Sequence, residues 1–130
     1  MSFITRSSAV FSTAIILLAA TAGSAVAQKR TVLQSIDFPA GYEILSVIAE
    51  LEPGKCTGRH SHPGAESAYV MEGDAVAKFD AKPDLILKAG QPLQFAPGEV
   101  HNVCNVGGAR FKALAHYIVE KGKPLVTRAP

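Results

Sequence analysis

The chain has 130 residues, with 13 basic and 11 acidic side chains and a formal net charge of +2 at pH 7. That length suits one domain, and the near-balanced charge argues against a nucleic-acid surface, which needs a clustered basic patch. Two cysteines and four histidines are few enough for each to be weighed individually.

Residues 1–27 carry one charge, Arg6, ahead of the apolar run FSTAIILLAA at 11–20 and a small-residue stretch ending Ser24-Ala25-Val26-Ala27. A basic start, an apolar middle and an Ala-x-Ala site read as a secretory signal peptide cut after Ala27. The competing reading is an uncleaved anchor, because apolar or small residues run from Ala9 to Ala27, close to the length of a bilayer span. Gly23, Ser24 and the well-placed Ala-x-Ala favour cleavage, and the lack of a cysteine after the run argues against a lipid anchor. Removing Arg6 takes the basic count from 13 to 12 against 11 acids, so the expected mature chain, 28–130, carries +1. It is expected in the periplasm or outside the cell, with no membrane attachment after cleavage. Lys29 and Arg30 read as solvated end charges. Export implies an oxidising compartment, in which Cys56 and Cys104 are able to pair.

From residue 31 onward the pattern has period two or short apolar runs. Strands are expected at Thr31–Phe38, Tyr42–Leu51, Ser67–Glu72, Asp74–Phe79, Leu85–Lys88, Pro92–Phe95, His101–Val106 and Arg110–Val119. Pro39-Ala40-Gly41, Pro53-Gly54, Pro63-Gly64, Gly73-Asp74, Pro83-Asp84, Ala89-Gly90, Pro97-Gly98 and Gly107-Gly108 punctuate them. Regularly spaced short strands without a long helical period suggest an all-β sandwich or barrel. No repeat or linker follows residue 28, and Gly122–Pro130 reads as a loosely docked tail.

The segment GKCTGRHSHPGAESAYVMEG, residues 54–73, holds the chemistry. His60 and His62 are two apart, so on an extended chain both imidazoles face one way. Pro63-Gly64 turns the chain, and Glu66 can return a carboxylate to the same spot. Two imidazoles and a carboxylate make a partial shell for a first-row metal with positions left open. The bland alternatives are exposed turn histidines and a surface pair between Glu66 and Arg59. Downstream, His101 follows the Pro97-Gly98 turn, with Asn105 four residues later.

These residues resemble the motifs of the cupin superfamily. The first motif, G-x5-H-x-H-x3-E-x6-G, is filled by Gly54, His60, His62, Glu66 and Gly73. The second, G-x5-P-x-G-x2-H-x3-N, is matched by Gly90, Gly98, His101 and Asn105, but Ala96 stands at the proline position and Pro97 follows one residue later. Residues 74–89 separate the motifs, as in a compact single-domain bacterial cupin of the quercetin-dioxygenase-like group. The resemblance implies a jelly roll and carries His60, His62, Glu66 and His101 over as ligands of one divalent transition metal. Iron, manganese, nickel, cobalt and zinc all suit such a set. A cation would also satisfy four groups that are costly to bury unpaired.

Other residues are expected to be structural. Tyr69 and Tyr117 read as packing, Phe95 as packing or cavity lining, and Met71 as core. His116 reads as a half-exposed strand histidine and Asn105 as a brace for the His101 strand. In a jelly roll of this kind the two motif strands run antiparallel, which brings Cys56 near Cys104. Alternation sets them on opposite faces; a bulge at Gly58 would bring them together. Both outcomes stay open.

The resemblance implies an exported metal-dependent enzyme, most simply a dioxygenase, acting on a small organic or phenolic substrate; the catalytic residues are unknown, with Glu66 a candidate base. A non-catalytic small-molecule-binding cupin and a metal-dependent lyase or isomerase are the alternatives, because one fold hosts many activities. A homodimer is expected, with Thr31–Phe38 as the candidate pairing strand at a sheet edge.

Overall fold

The computed structural model describes residues 28–130. The expected signal peptide, 1–27, lies outside the described residues. Ten strands are formed, and no helix occurs among the described residues: β1 (Gln28–Ile36), β2 (Tyr42–Leu51), β3 (His60–Ser61), β4 (Gly64–Glu72), β5 (Asp74–Phe79), β6 (Leu85–Lys88), β7 (Pro92–Phe95), β8 (His101–Asn105), β9 (Phe111–Glu120) and β10 (Thr127–Arg128). They make two antiparallel five-stranded sheets, ordered β1-β2-β9-β4-β7 and β10-β3-β8-β5-β6. This is the jelly roll expected from the two motifs.

Alternation builds the wall. Along β9, FKALAHYIVE buries Phe111, Ala113, Ala115, Tyr117 and Val119 and turns the intervening side chains outward, as a strand with one packed face must. Those five meet Val47 and Leu51 of β2, Val70 of β4, Leu93 and Phe95 of β7, and Ala75, Ala77 and Leu87 of the opposing sheet. Gly73 carries the chain from β4 to β5 with φ +79°, and a Cβ there would lie 2.6 Å from the Arg110 carbonyl oxygen. Only glycine fits that turn.

Three departures from expectation have local causes. Met71 and Tyr69 are exposed rather than packed, because Gly64, Glu66, Ala68 and Val70 take the inward parity of β4 and the side chains between them turn outward. Gly122–Pro130 is not loose: β10 pairs with β3, Ala129 N donates to the Arg59 carbonyl, and the Arg128 guanidinium donates to the Thr57 carbonyl at 2.5 Å. Arg30 is not a free end charge, because the first strand begins at Gln28 and turns this side chain inward.

Cys56 and Cys104 form a disulfide between residues that face each other across the ladder. The adjoining cross-strand pair is His60 with His101. Residues 57–59 separate the pairs on one strand and only 102–103 on the other. The extra residue is absorbed at Gly58, whose φ is +76°. A one-residue bulge thus reverses the parity of Cys56.

Candidate metal centre

His60 lies on β3 and His101 opens β8, directly opposite each other in antiparallel register. His62 follows β3, before the turn at Pro63. Glu66 comes from the other sheet, on β4, between Phe95 of β7 and Tyr117 of β9 in cross-strand register. The three histidines therefore converge, and Glu66 approaches two of them, His62 and His101, from the opposite wall. Their residues are only 2%, 3%, 8% and 2% exposed for His60, His62, Glu66 and His101.

Each ring is fixed by one nitrogen. Nδ1 donates to a backbone carbonyl in all three: His60 to Gly58 at 2.8 Å, His62 to Leu125 at 2.6 Å, and His101 to Glu99 at 2.9 Å. A neutral imidazole holding its proton on Nδ1 presents Nε2 as a lone pair. The possible ligand atoms of the three rings lie within 4.8 Å of one another. Phe95 stacks on His101, with centroids 3.7 Å apart and planes 5° apart, and Tyr117 packs against the His62 ring at 4.8 Å.

The cluster is electrostatically incomplete. Glu66 Oε2 lies 3.0 Å from His62 Nε2 and 3.9 Å from His101 Nε2. An ion pair with His62 would need a second proton, on Nε2, besides the one Nδ1 holds against Leu125. His62 Nε2 accordingly has no hydrogen-bond partner among the described residues. Two facing lone pairs in a buried site call for a shared cation or proton. His60, His62 and His101 thus form a cluster able to hold a metal ion, and backbone carbonyls on the remote nitrogens are the usual outer support for such ligands.

Burial pushes His60 down to about 3, partly opposed by the Gly58 carbonyl, while His101, His62 and Arg30 lower it further. Burial also lowers His101, against the Glu99 carbonyl and the Glu66 carboxylate. Tyr117 is raised, by burial first and by Glu66 second, so its phenol stays protonated. A pH dependence follows. Between about 3 and 6.5 the unfolded chain protonates His60 and the metal-free fold does not, so stability rises with pH there. The depressed histidine contributes fully above about 6.5 and is lost as pH falls towards 3, by about 1.4 kcal/mol per pH unit for each such residue. Urea titrations of metal-free protein at pH 7, 5.5 and 4.5 should show successively lower midpoints; an unchanged midpoint refutes this electrostatic picture.

Several sequence readings gain a definite place. Arg59 pairs with Asp80 at 2.6 Å and leaves Glu66 to the histidines. Asn105 braces the barrel, donating to the Leu51 and Ala109 carbonyls and accepting from Gly107 N. His116 lies on the outer face, 3.0 Å from Ser46 Oγ. Sequence reasoning missed the Leu125 carbonyl, the approach of Tyr117 to His62, and Arg30. The Arg30 guanidinium lies 3.4 Å from His60 Nε2. The signal for Tyr117 was its inward parity on β9; a main-chain carbonyl has no sequence signature at all.

Comparison with known proteins agrees with this architecture. A conserved protein with a double-stranded β-helix domain from Klebsiella pneumoniae superposes with a TM-score of 0.63 at 22% identity, covering 79% of this chain and 84% of that one. An oxalate oxidase, solved with the substrate analogue glycolate, gives 0.64 at 19% identity over 81% of this chain and 56% of its own. The DMSP lyase DddQ from Ruegeria pomeroyi gives 0.59 at 17% identity, covering 66% of this chain and 43% of that one. At such identities the likeness is one of fold. No curated protein sequence matches the chain. The family profile described as a cupin domain matches residues 47–117, more than half of the chain and the span that contains both histidine motifs. This chain belongs to the cupin domain family.

Proposed function

We propose that the protein is an exported metal-binding cupin acting on a small organic molecule, with His60, His62, Glu66 and His101 as the ligands of one divalent transition metal. The observation that carries the reading is the cluster of three buried imidazoles, two of which, His62 and His101, turn Nε2 towards the Glu66 carboxylate, while every Nδ1 is tied to a backbone carbonyl. Among the described residues the structure offers His62 Nε2 no proton donor. Such a ligand set leaves positions open and suits redox or Lewis-acid metals alike.

When bound, the ion would polarise a substrate oxygen and lower its pKa. The chain's own residues supply the rest. Phe95 and Tyr117 hold the His101 and His62 rings and keep bulk water from the Glu66 side of the cup. Glu66 is the one carboxylate in contact with the cluster, and so the residue placed to take a proton from an acidified substrate. A dioxygenase-like reaction is the reading we favour for an iron-loaded form. A lyase or isomerase would use the same polarisation without oxygen, and both an oxidase and a lyase occur among the fold neighbours. A binding cupin without turnover is the alternative. Export fits the Cys56–Cys104 disulfide, which persists in oxidising compartments. A homodimer fits β1, an edge strand with exposed Val32, Leu33 and Ile36, the kind of edge that pairing would cover.

Glu66→Gln tests the ligand assignment by two effects of opposite sign. The amide can donate to His62 Nε2, so the metal-free variant should gain about 1 kcal/mol. Losing a ligand should weaken binding of zinc or cobalt by at least about tenfold. Differential scanning calorimetry with and without metal reads both; a variant with unchanged metal affinity removes Glu66 from the ligand set. Metal analysis of protein purified from its native compartment, followed by oxygen-uptake assays with flavonols and catechols, then separates dioxygenase, Lewis-acid and binding readings.

A further inference from the structure

Arg30 sits opposite Ala49 on β2, and Gln28 sits opposite Leu51. Both partners are buried, at 5% and 1% exposed, and face the barrel interior. Directly paired residues share a face, so Arg30 and Gln28 project into the cup. The guanidinium donates to His60 Nε2 across 3.4 Å. Arg30 Nε and Gln28 Oε1 are shielded from water and have no hydrogen-bond partner among the described residues. Glu66, the carboxylate inside the barrel, contacts His62 and His101 and not Arg30.

This is an unusual charge arrangement. An arginine brings five donors in a rigid fork, and this one lies beside the Tyr117 phenol and makes one long contact with a histidine lone pair, with no carboxylate paired to it among the described residues. That lone pair belongs to a proposed metal ligand. Once it is given to a cation, Arg30 loses that acceptor, and a divalent ion, one guanidinium and one carboxylate leave the cup two charges positive. Burying unbalanced charge is costly, and a carboxylate anion that reaches both cations halves the excess.

We propose that Arg30 reads the charged end of the ligand, and that the molecules this cupin takes are small carboxylic acids bound as their anions. A carboxylate matches the guanidinium fork with two parallel N–H···O bonds, whereas a phenol offers one oxygen. Gln28, next along the same inner face, carries a free carbonyl acceptor suited to a hydroxyl on the same molecule. This inference rests on the metal reading above and narrows its substrate class.

The test uses cobalt(II) as the metal and lactate, its neutral amide lactamide, and catechol as probes, followed through the cobalt ligand-field spectrum. The wild-type protein should bind cobalt, and lactate should perturb the spectrum at least about tenfold more tightly than lactamide, the range expected for a charge-assisted pair. Arg30→Gln should keep cobalt at least as tightly as wild type, because it removes a neighbouring positive charge, and should lose the preference for lactate over lactamide. Its affinity for catechol should stay within about twofold. Arg30→Lys keeps the charge without the fork and should show an intermediate preference; it also serves if Arg30→Gln fails to fold by circular dichroism. An Arg30→Gln protein that prefers lactate as wild type does, or loses catechol by the same factor as lactate, overturns the role of Arg30 and leaves the metal site standing. Wild-type protein that takes up no cobalt overturns the metal site itself, and this inference with it.

Discussion

His101→Ala should abolish high-affinity metal binding. The ring is held by three features at once: its Nδ1 donates to the Glu99 carbonyl at 2.9 Å, Phe95 stacks flat on it, and β8 pairs it in register with His60. Its Nε2 is therefore pre-aimed, and no other histidine among the described residues lies where it could substitute; the fourth, His116, faces outward beside Ser46. Loss of an outer support alone typically costs about 10- to 100-fold in metal affinity, so deletion of a ligand should cost at least about 100-fold. A metal present at 100 times its dissociation constant stabilises the fold by about 2.7 kcal/mol, or roughly 10–20 °C in Tm for a domain of this size. That metal-dependent rise should vanish in His101→Ala and persist in His116→Ala. Chelator-competition titrations and calorimetry with and without zinc read the two effects. If His101→Ala keeps the wild-type affinity and Tm response, the proposed ligand set is wrong.

Reduction of the Cys56–Cys104 bridge should be the largest purely structural perturbation. The bond joins residues 48 apart in sequence, and closing a loop of that size stabilises a fold by about 2–4 kcal/mol in the chain-entropy account. The domain is small, with one core, so a loss of that size is a large part of its stability. Reduced protein, or the double variant Cys56→Ser/Cys104→Ser, should melt roughly 10–25 °C lower. The bridge lies one bulge away from His60, on the side of β8 turned away from the rings. Metal affinity should therefore fall less than tenfold as long as the reduced protein is assayed below its new Tm. A drop of less than about 3 °C would mean that the ladder on either side, including the Thr57 N to Val103 carbonyl bond at 2.8 Å, holds the segment without the covalent link.

The histidines were legible because strand periodicity is local: residues two apart share a face, so His60 and His62 had to act together. Their spacing to Glu66 and His101 matched the cupin motifs, and Tyr42–Leu51, Asp74–Phe79, Leu85–Lys88 and Pro92–Phe95 form at the bounds expected from alternation and turn residues. Where alternation is interrupted, local reading loses its phase. The bulge at Gly58 decides whether Cys56 meets Cys104, and no local pattern announces it.

The sequence by itself determined eight of the ten strands, the ligand candidates and the family resemblance, all of which depend on side-chain identity at short spacing. Only the tertiary structure decided that the tail closes over His62 through the Leu125 carbonyl, that Arg30 points inward beside His60, and that the disulfide forms. Each of these depends on a backbone group or a strand parity. Both are set by contacts between distant segments, and neither is written in the residue types involved.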